Sequence, residues 1–253
     1  MLLADIFVTV KPGREDITNQ SLNSLIENTN KNLYRLTICV DGKSSVDYRE
    51  FADYVIYSNE NEGLAPTVNR AISHISSINN WYSNLKYGDF KKVSPYIVMC
   101  QDDLIYTPQW LEILAKNFAL YSSRLGFVTG LECVEHTYNK VVLPNGNIQK
   151  DWIRAAQMMA RREYWESMMP IPIFDPETGN KRAKPNDGIG SGVDWWFIRN
   201  HPNSVTKIGK TCLVVPGLVK HLGYDRSTWL NRELPESQAD KNYINSYKEK
   251  NAK

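Results

Sequence analysis

Short apolar runs alternate with longer segments of helical apolar spacing through the first half of the chain. The strand-like runs are rich in β-branched residues and end at turn signals; they cover residues 4–10, 33–40, 53–58 and 94–103. Apolar side chains recur at helical spacing over residues 18–28, 64–75 and 108–120. Strands that alternate with helices in this way predict a Rossmann-like α/β fold, with a mostly parallel sheet flanked by helices.

The second half of the chain is less regular. Apolar runs predict strands over residues 126–134, 140–144, 155–160 and 211–219, and a short helix starts near Arg162. Two polar, basic loops stand out at 79–94 and 177–190. We expect one domain over residues 1–235, divided into halves 1–105 and 106–235, followed by a polar, lysine-rich tail over 236–253.

Composition supports one globular domain. The chain has 253 residues, 42% apolar and 23% charged, which suffices for a full core without disulfides. The net charge of +2 gives no reason to expect nucleic acid or a membrane surface as a partner. No run reaches the ~18–20 apolar residues of a membrane span. Residues 2–10 are too short for the apolar region of a signal peptide and include Asp5.

The four cysteines stand far apart and form no CxxC pair. Cys39, Cys100 and Cys212 lie in strand-like runs, so we expect reduced, buried thiols. A cytoplasmic location fits this expectation, or the host cytoplasm if the protein is viral.

Polar side chains cluster where the predicted strands end. In an open parallel sheet, ligands bind beyond the carboxyl ends of the strands. The residues at these ends are Thr9, Lys11, Asp41, Gln101, Asp102 and Asp103. Several strand ends that supply acids and short loops to one rim indicate a binding site.

Asp102 and Asp103 have two possible roles. Asp103 could cap a helix that starts at Pro108, although Thr107 is better placed as the cap. Otherwise, adjacent carboxylates after a buried strand repel each other unless a cation lies beside them. Mg²⁺ or Mn²⁺ would accept these oxygens and leave positions for water and phosphate, so a diphosphate is the expected ligand.

Several segments in order resemble the family-2-like glycosyltransferases of the GT-A fold. They are ITNQSLNSL, LTICVDGKSS, NEGLAPTVNRAI, YIVMCQDDLIYTPQWLEIL, AAQMMARREYWESM, GSGVDWWF and VKHLG, and together they span roughly residues 3–225. The resemblance implies transfer of a sugar from a UDP- or GDP-sugar, with UDP favoured, assisted by Mn²⁺ or Mg²⁺.

The resemblance also implies roles for individual residues. Asp103 and His221 would hold the metal, and Asp102 would contact the ribose or donor sugar. The rest of the donor pocket would be lined by Thr9, Lys11, Asp41, Asn61, Gly63, Asn69, Arg70 and Gln101, with Asp41 on the base or ribose. The family usually has an acid where this chain has Gln101, which leaves fewer charged metal ligands and gives His221 more weight.

Asp194 is the candidate general base. It follows Gly190-Ser191-Gly192 and precedes Trp195-Trp196. The resemblance implies an inverting displacement, in which this carboxylate takes the proton of the acceptor hydroxyl. Asp194 could equally be the N-cap of a helix over residues 195–199.

The acceptor stays open. Loop 79–94 mixes aromatic residues with lysines and loop 177–190 adds further cations, a composition that suits a glycan, a lipid-linked or other small acceptor. It also suits a hydroxymethylated base of viral DNA, which would have to be flipped out, or a protein. Two other functions are possible: a nucleotidyltransferase, for which Lys11-Pro12-Gly13-Arg14 is a faint signal, and a non-catalytic binding protein, suggested by Gln101.

Overall fold

The computed structural model describes residues 2–84, 92–121, 124–131, 140–173 and 193–222, without the side chain of Trp195. The strands are β1 Ala4–Val10, β2 Tyr34–Val40, β3 Tyr54–Tyr57, β4 Tyr96–Gln101, β5 Leu104–Tyr106, β6 Leu125–Leu131, β7 Val141–Val142, β8 Ile148–Lys150, β9 Gln157–Arg161 and β10 Thr211–His221. The helices are α1 Glu15–Glu27, α2 Leu64–Asn84, α3 Trp110–Leu120, α4 Arg162–Glu166 and α5 Val193–Trp195.

The described strands form one ten-stranded sheet in the order β3-β2-β1-β4-β9-β6-β10-β8-β7, with β5 paired to β10. Pairs β1–β2, β1–β4, β2–β3 and β6–β10 are parallel. The second half of the chain adds antiparallel pairs, among them β4–β9 and β10–β8. The α/β fold predicted from alternating strands and helices is confirmed.

The core lies on both faces of the central strands. Every residue of β1 and β2 is buried, as expected for parallel strands covered by helices on both sides. From α2, Val68, Ile72 and Ile75 pack into this core at the helical spacing read from the sequence. Strands β1 and β4 end at the same edge of the sheet and at the same position along it, because Thr9 pairs with Gln101 in the sheet register.

Helix α2 is longer than the sequence pattern predicts. It continues to Asn84, so the first residues of the expected loop 79–94 are helical. The reason is a buried polar contact: Asn79 is fully buried and its side-chain amide donates to Asp5 Oδ2 at 2.7 Å. The polar side chain of Asn79 is therefore used inside the fold and does not mark a loop.

Helix α3 begins later than predicted, and Thr107 is not its N-cap. The helix starts at Trp110 after Gln109, which adopts a left-handed conformation with φ 62°. Strand β5 pairs with β10 and draws Thr107 into the sheet, where both its N–H and its hydroxyl donate to Leu218 O. The cap prediction was wrong because it could not anticipate this pairing.

Cys39, Cys100 and Cys212 are buried free thiols, as predicted. Burial raises the pKa of Cys39 and of Cys100 to about 12. None of the described helices is long and apolar enough to cross a bilayer. Loop 177–190, the tail 236–253 and the middle of loop 79–94 lie outside the described residues.

Candidate functional site

Two buried acids stand at the centre of the carboxyl edge of the sheet. Asp102 and Asp103 form the turn between β4 and β5 and are 1% and 2% exposed. The carbonyl of Asp103 accepts a 2.7 Å hydrogen bond from Leu222 N, which fixes the end of β10 against this turn. The topology thus brings the acids and His221 together, as the sequence analysis expected of a metal site.

Arg14 forms ion pairs with both acids. Its guanidinium contacts Asp102 Oδ1 and lies 3.1 Å from Asp103 Oδ2. The guanidinium is only partly exposed, so the charge interaction is little screened by water. The sequence analysis did not assign Arg14 to the site; its one signal was the basic loop directly after the first strand.

The carboxylate of Asp102 is fully engaged. Besides Arg14, it accepts hydrogen bonds from Thr18 Oγ1 at 2.9 Å and from Lys11 N at 3.1 Å. These contacts fasten the loop after β1 and the first turn of α1 to the acidic turn. In this arrangement Asp102 orders the rim, and a direct contact with a ribose would require one of these partners to move.

The second oxygen of Asp103 faces His221. Asp103 Oδ1 lies 3.5 Å from His221 Nε2 and, within the described part of the chain, has no hydrogen-bond partner. Two ligands bound at right angles to one Mg²⁺, each at about 2.1 Å, would stand about 3 Å apart. A buried carboxylate oxygen beside an imidazole nitrogen at this spacing therefore fits a divalent ion.

No group of three or more His, Cys, Asp or Glu side chains in the described ranges is arranged to hold a metal. Two protein ligands are nevertheless enough for an ion that also binds water and phosphate oxygens. This limited set agrees with the presence of Gln101 where the resembled family has an acid.

The charge state of the acids is set by burial and by Arg14. Burial raises the pKa of Asp102 and of Asp103, and the adjacent guanidinium of Arg14 opposes that rise in both. Arg154 also lowers the pKa of Asp103 through its charge. Conversely, although burial alone would lower it, the two acids raise the pKa of Arg14. Burial therefore favours the protonated form of each acid, and the charge of Arg14 favours the ionised form.

Asp41 shapes the neighbouring loop. Its two carboxylate oxygens accept hydrogen bonds from Glu62 N and Gly63 N, each at 2.8 Å. Gly63 has φ 95°, a conformation that favours glycine, and directly precedes α2. Asn61 is exposed at the tip of the same loop. Asp41 thus presents a short loop and the start of a helix toward solvent at the carboxyl edge.

Arg70 links this loop to α2. Its guanidinium forms an ion pair with Glu62, lies 3.9 Å from Asp41 Oδ1, and donates to Thr67 Oγ1 at 3.2 Å. The side chain is 28% exposed, so part of its charge stays available at the surface.

Asn69 binds protein backbone. Its amide donates to Ile171 O at 2.9 Å and accepts from Ile171 N at 2.8 Å, which attaches α2 to the segment after α4. Both halves of the side-chain amide are therefore used within the fold.

Thr9 and Gln101 lie side by side between the acids and Asp41. The hydroxyl of Thr9 donates to Cys100 O at 3.4 Å. The backbone N–H of Gln101 donates to Ala156 O at 2.8 Å, and its side chain is partly exposed at the rim. Lys11, next to them, has a lowered pKa because of burial and of the nearby charge of Arg14.

Asp194 lies in a helical turn and contacts Trp152. Helix α5 begins at Val193, so Asp194 lies inside the first turn and is not an N-cap. Its Oδ2 accepts a 3.2 Å hydrogen bond from Trp152 Nε1, and Arg199 covers the ring of Trp152 at 5.1 Å. Trp152 is two residues from Arg154, whose charge acts on Asp103. The segment of residues 152–154 therefore interacts with Asp194 through Trp152 and with Asp103 through the charge of Arg154.

The sheet order and the acidic turn at its carboxyl edge are those of a GT-A fold. No protein-family model and no curated protein sequence matches the chain. Among solved structures, the mannosyltransferase PcManGT from Pyrobaculum calidifontis, in complex with GDP-Man and Mn²⁺, is similar with a TM-score of 0.53 and 12% identity over 85% of this chain.

Two further structures show the same likeness. GalNAc-T7, solved with UDP, GalNAc and Mn²⁺, has a TM-score of 0.54 and 11% identity over 87% of this chain. TarS from S. aureus has a TM-score of 0.52 and 12% identity over 98%. The chain spans 55%, 44% and 44% of the lengths of these three proteins. The comparisons confirm the GT-A fold that the sequence resemblance implied.

Proposed function

We propose that this protein is an inverting, metal-dependent glycosyltransferase that uses a UDP- or GDP-sugar and transfers the sugar to a hydroxyl of a glycan, lipid-linked or other small acceptor. The observation that carries the proposal is the pair formed by Asp103 Oδ1 and His221 Nε2, 3.5 Å apart at the carboxyl edge of a GT-A sheet. Two of the similar structures, PcManGT and GalNAc-T7, contain Mn²⁺ with a nucleotide or nucleotide sugar, which supports this assignment.

The donor would lie along the carboxyl edge. The loop held by Asp41, with Asn61 and Gly63, would receive the nucleoside, and the exposed part of Arg70 would face the diphosphate. Asp103 and His221 would hold a divalent ion, which supplies charge neutralisation for the departing nucleoside diphosphate. Asp102 would keep the loop after β1 in place through Thr18 and the amide of Lys11.

Asp194 would act on the acceptor. Its carboxylate would accept the proton of the acceptor hydroxyl while the hydroxyl oxygen bonds to the anomeric carbon, and the bond from that carbon to the diphosphate oxygen breaks. The Trp152 N–H would orient the carboxylate through its hydrogen bond to Oδ2. Base catalysis of this kind contributes about 10²–10⁴-fold to the rate.

Metal-linked nucleotide binding tests the donor site. The purified chain is titrated with UDP, with GDP and with the corresponding nucleoside triphosphates, each with and without Mn²⁺, and its Tm is measured. We expect one nucleotide to raise Tm only when Mn²⁺ is present, because ion and diphosphate bind together, and Asp103→Ala to abolish that rise. Glu163→Ala, which removes a carboxylate in α4, serves as the control and should respond as the unmodified chain does. Stabilisation by nucleoside triphosphates alone would contradict the proposal and favour nucleotidyl transfer.

Turnover tests the base. Incubation with a mixed pool of nucleotide sugars and glycan acceptors, followed by mass spectrometry, identifies the product. Asp194→Asn should lower turnover about 10²–10⁴-fold while the Mn²⁺-dependent Tm rise stays unchanged, because the amide cannot accept the proton but fills the same space. Equal turnover in the variant and the unmodified chain would remove Asp194 from the mechanism.

A further inference from the structure

A second polar pocket lies at the opposite, amino edge of the sheet. Its volume is 310 Å³, and it is lined by Leu2, Lys31, Asn32, Tyr34, Arg35, Asp53, Tyr82 and Lys92. These residues precede or begin β1 to β4, or lie near the end of α2. Seven-residue β1 separates the two edges by about 20 Å at about 3.3 Å per residue, so this pocket is distinct from the donor site.

Three basic side chains in the pocket are held over tyrosine rings. Lys31 Nζ lies 4.9 Å from the centroid of Tyr34, and Lys92 Nζ lies 5.3 Å from that of Tyr82. The guanidinium of Arg35 also contacts the Tyr82 ring, at 5.6 Å. Cation–π contacts of this kind hold the charged groups in place and reduce the entropy that they would lose when they bind a ligand.

The innermost cation is Arg35, whose side chain is 10% exposed. Its Nε donates to Asp5 Oδ1 at 2.6 Å and its Nη1 to Lys92 O at 3.4 Å. Arg35 Nη2 and the hydroxyl of Tyr34 are buried and have no hydrogen-bond partner within the described ranges. Because neither group has accessible surface, a ligand oxygen reaches them only when neighbouring side chains move, and the exposed cations of the pocket are the lysines.

Two carboxylates reduce the positive charge. Asp5 pairs with Arg35 from behind, and Asp53 Oδ2 accepts from Lys31 Nζ at 3.0 Å and from Leu36 N at 2.8 Å. Asp53 is the pocket's own acid, and it competes with any anion for Lys31. Removal of the Asp53 charge should therefore strengthen the binding of an anion, whereas removal of a lysine charge should weaken it.

We propose that the amino-edge pocket binds a phosphoryl group, either as free phosphate or carried by a small organic phosphate. The positive charge of two lysine ammonium groups, with the guanidinium of Arg35 behind them, attracts phosphate oxygens. A volume near the lower end of about 300–1,000 Å³ for ligand pockets suits a compact ligand. This assignment does not depend on the activity proposed for the carboxyl edge.

Calorimetric titration tests the proposal on the whole, metal-free chain, with inorganic phosphate in one arm and glucose 6-phosphate in the other. We expect saturable binding of at least one, weakened about three- to tenfold by Lys31→Gln and by Lys92→Gln, because each removes one cation. Asp53→Asn should strengthen binding by a similar factor, since it removes the competing charge and keeps an oxygen for Leu36 N. Lys116→Gln, on exposed α3 surface, is the matched control.

The relative affinities of the two arms identify the source of the phosphoryl group. No saturable binding in either arm would overturn the proposal, and so would equal weakening by Lys31→Gln and Lys116→Gln. A third arm uses a short single-stranded oligonucleotide to test a polymer ligand. If the oligonucleotide bound more tightly than either phosphate compound, with a strong salt dependence, the proposal of a compact phosphate ligand would be overturned in favour of nucleic acid. Asp103→Ala should leave phosphate binding at this pocket unchanged.

Discussion

The guanidinium of Arg14 occupies a position where a cation is needed. Asp102 and Asp103 are adjacent and buried. Ionisation of both carboxylates costs free energy, because burial removes water and the two charges repel each other. Arg14 satisfies one oxygen of each and leaves Asp103 Oδ1 toward His221. The residue thus opposes the negative charge of the acids and leaves Asp103 Oδ1 without a hydrogen bond among the described residues.

Removal of Arg14 gives the first residue-scale prediction. Arg14→Ala should lower the free energy of unfolding by about 3 kcal/mol in EDTA, because two buried carboxylates lose their counter-charge. Added Mn²⁺ should restore more stability to this variant than to the unmodified chain, because the ion then supplies the missing charge. Urea unfolding with and without Mn²⁺ measures both effects.

Arg14→Lys is the matched control, since it keeps the charge but cannot contact both acids at once. It should fall between the unmodified chain and Arg14→Ala. If Arg14→Ala lost the same stability with and without Mn²⁺, the side chain would act through packing alone.

The sequence revealed some site residues and could not reveal others. Asp102, Asp103 and His221 were predicted to lie together because they end or follow apolar strands, and the structure brings Asp103 and His221 within 3.5 Å. Arg14 was missed because its partners are 88 and 89 positions away along the chain, and no local pattern reports such a pairing. The same holds for Trp152, whose N–H reaches Asp194 only in the folded chain.

At the scale of elements, β6 and β10 approach each other closely at Gly130. A Cβ built on this residue would lie 2.8 Å from Leu218 Cβ and 3.0 Å from Val219 Cγ2. The register of the pair shifts in this region, between Val214 and Val219. Gly130 N also donates to the buried Gln157 Oε1 at 2.7 Å, which ties β6 to β9.

Gly130→Ala should therefore destabilise the fold. The added methyl group has no space unless β10 moves, and overpacking of this kind costs about 1–3 kcal/mol. Because the shift would displace the end of β10, the Mn²⁺-dependent Tm rise should shrink as well. Urea unfolding and the nucleotide titration measure the two effects; unchanged values in both would show that β10 accommodates the methyl group freely.

Element prediction succeeded where one local signal dominated. Burial imposes an apolar pattern on the sequence. This pattern predicted strands β1, β2 and β4 and the buried face of α2. The start of α3 was misplaced because Thr107 binds Leu218 O in the sheet instead of capping the helix. The short strands β5 and β8 were missed because three residues carry too little pattern to read.

At the scale of the molecule, the two edges of the sheet hold charge differently. The carboxyl edge gathers acids around Arg14, whereas the amino edge buries Asp5 against Arg35, Asn79 and Ser94. Ser94 N also donates to Asn79 Oδ1 at 3.1 Å. This network joins the end of α2 and the start of β4 to the first two strands.

Loss of Asp5 should affect the whole fold. Asp5→Ala leaves Arg35 buried without its partner, and breaking a buried ion pair in this way costs about 3–5 kcal/mol. Asp47→Ala, which breaks the exposed pair with Arg49, should give no measurable loss and serves as the control. Chemical denaturation of both variants checks the contrast; equal stabilities would contradict a structural role for the Asp5 network.

Strand β10 is the last described strand along the chain, yet it lies inside the sheet between β6 and β8. During synthesis, Asp103 leaves the ribosome well before His221, by roughly 6–24 s at about 5–20 residues per second. Throughout that interval the acids lack the imidazole, and β6, once made, has an open edge until β10 follows. Capture of a metal ion by Asp103 and His221, as proposed above, would thus be deferred until β10 has been made, and it would report that β10 has been inserted.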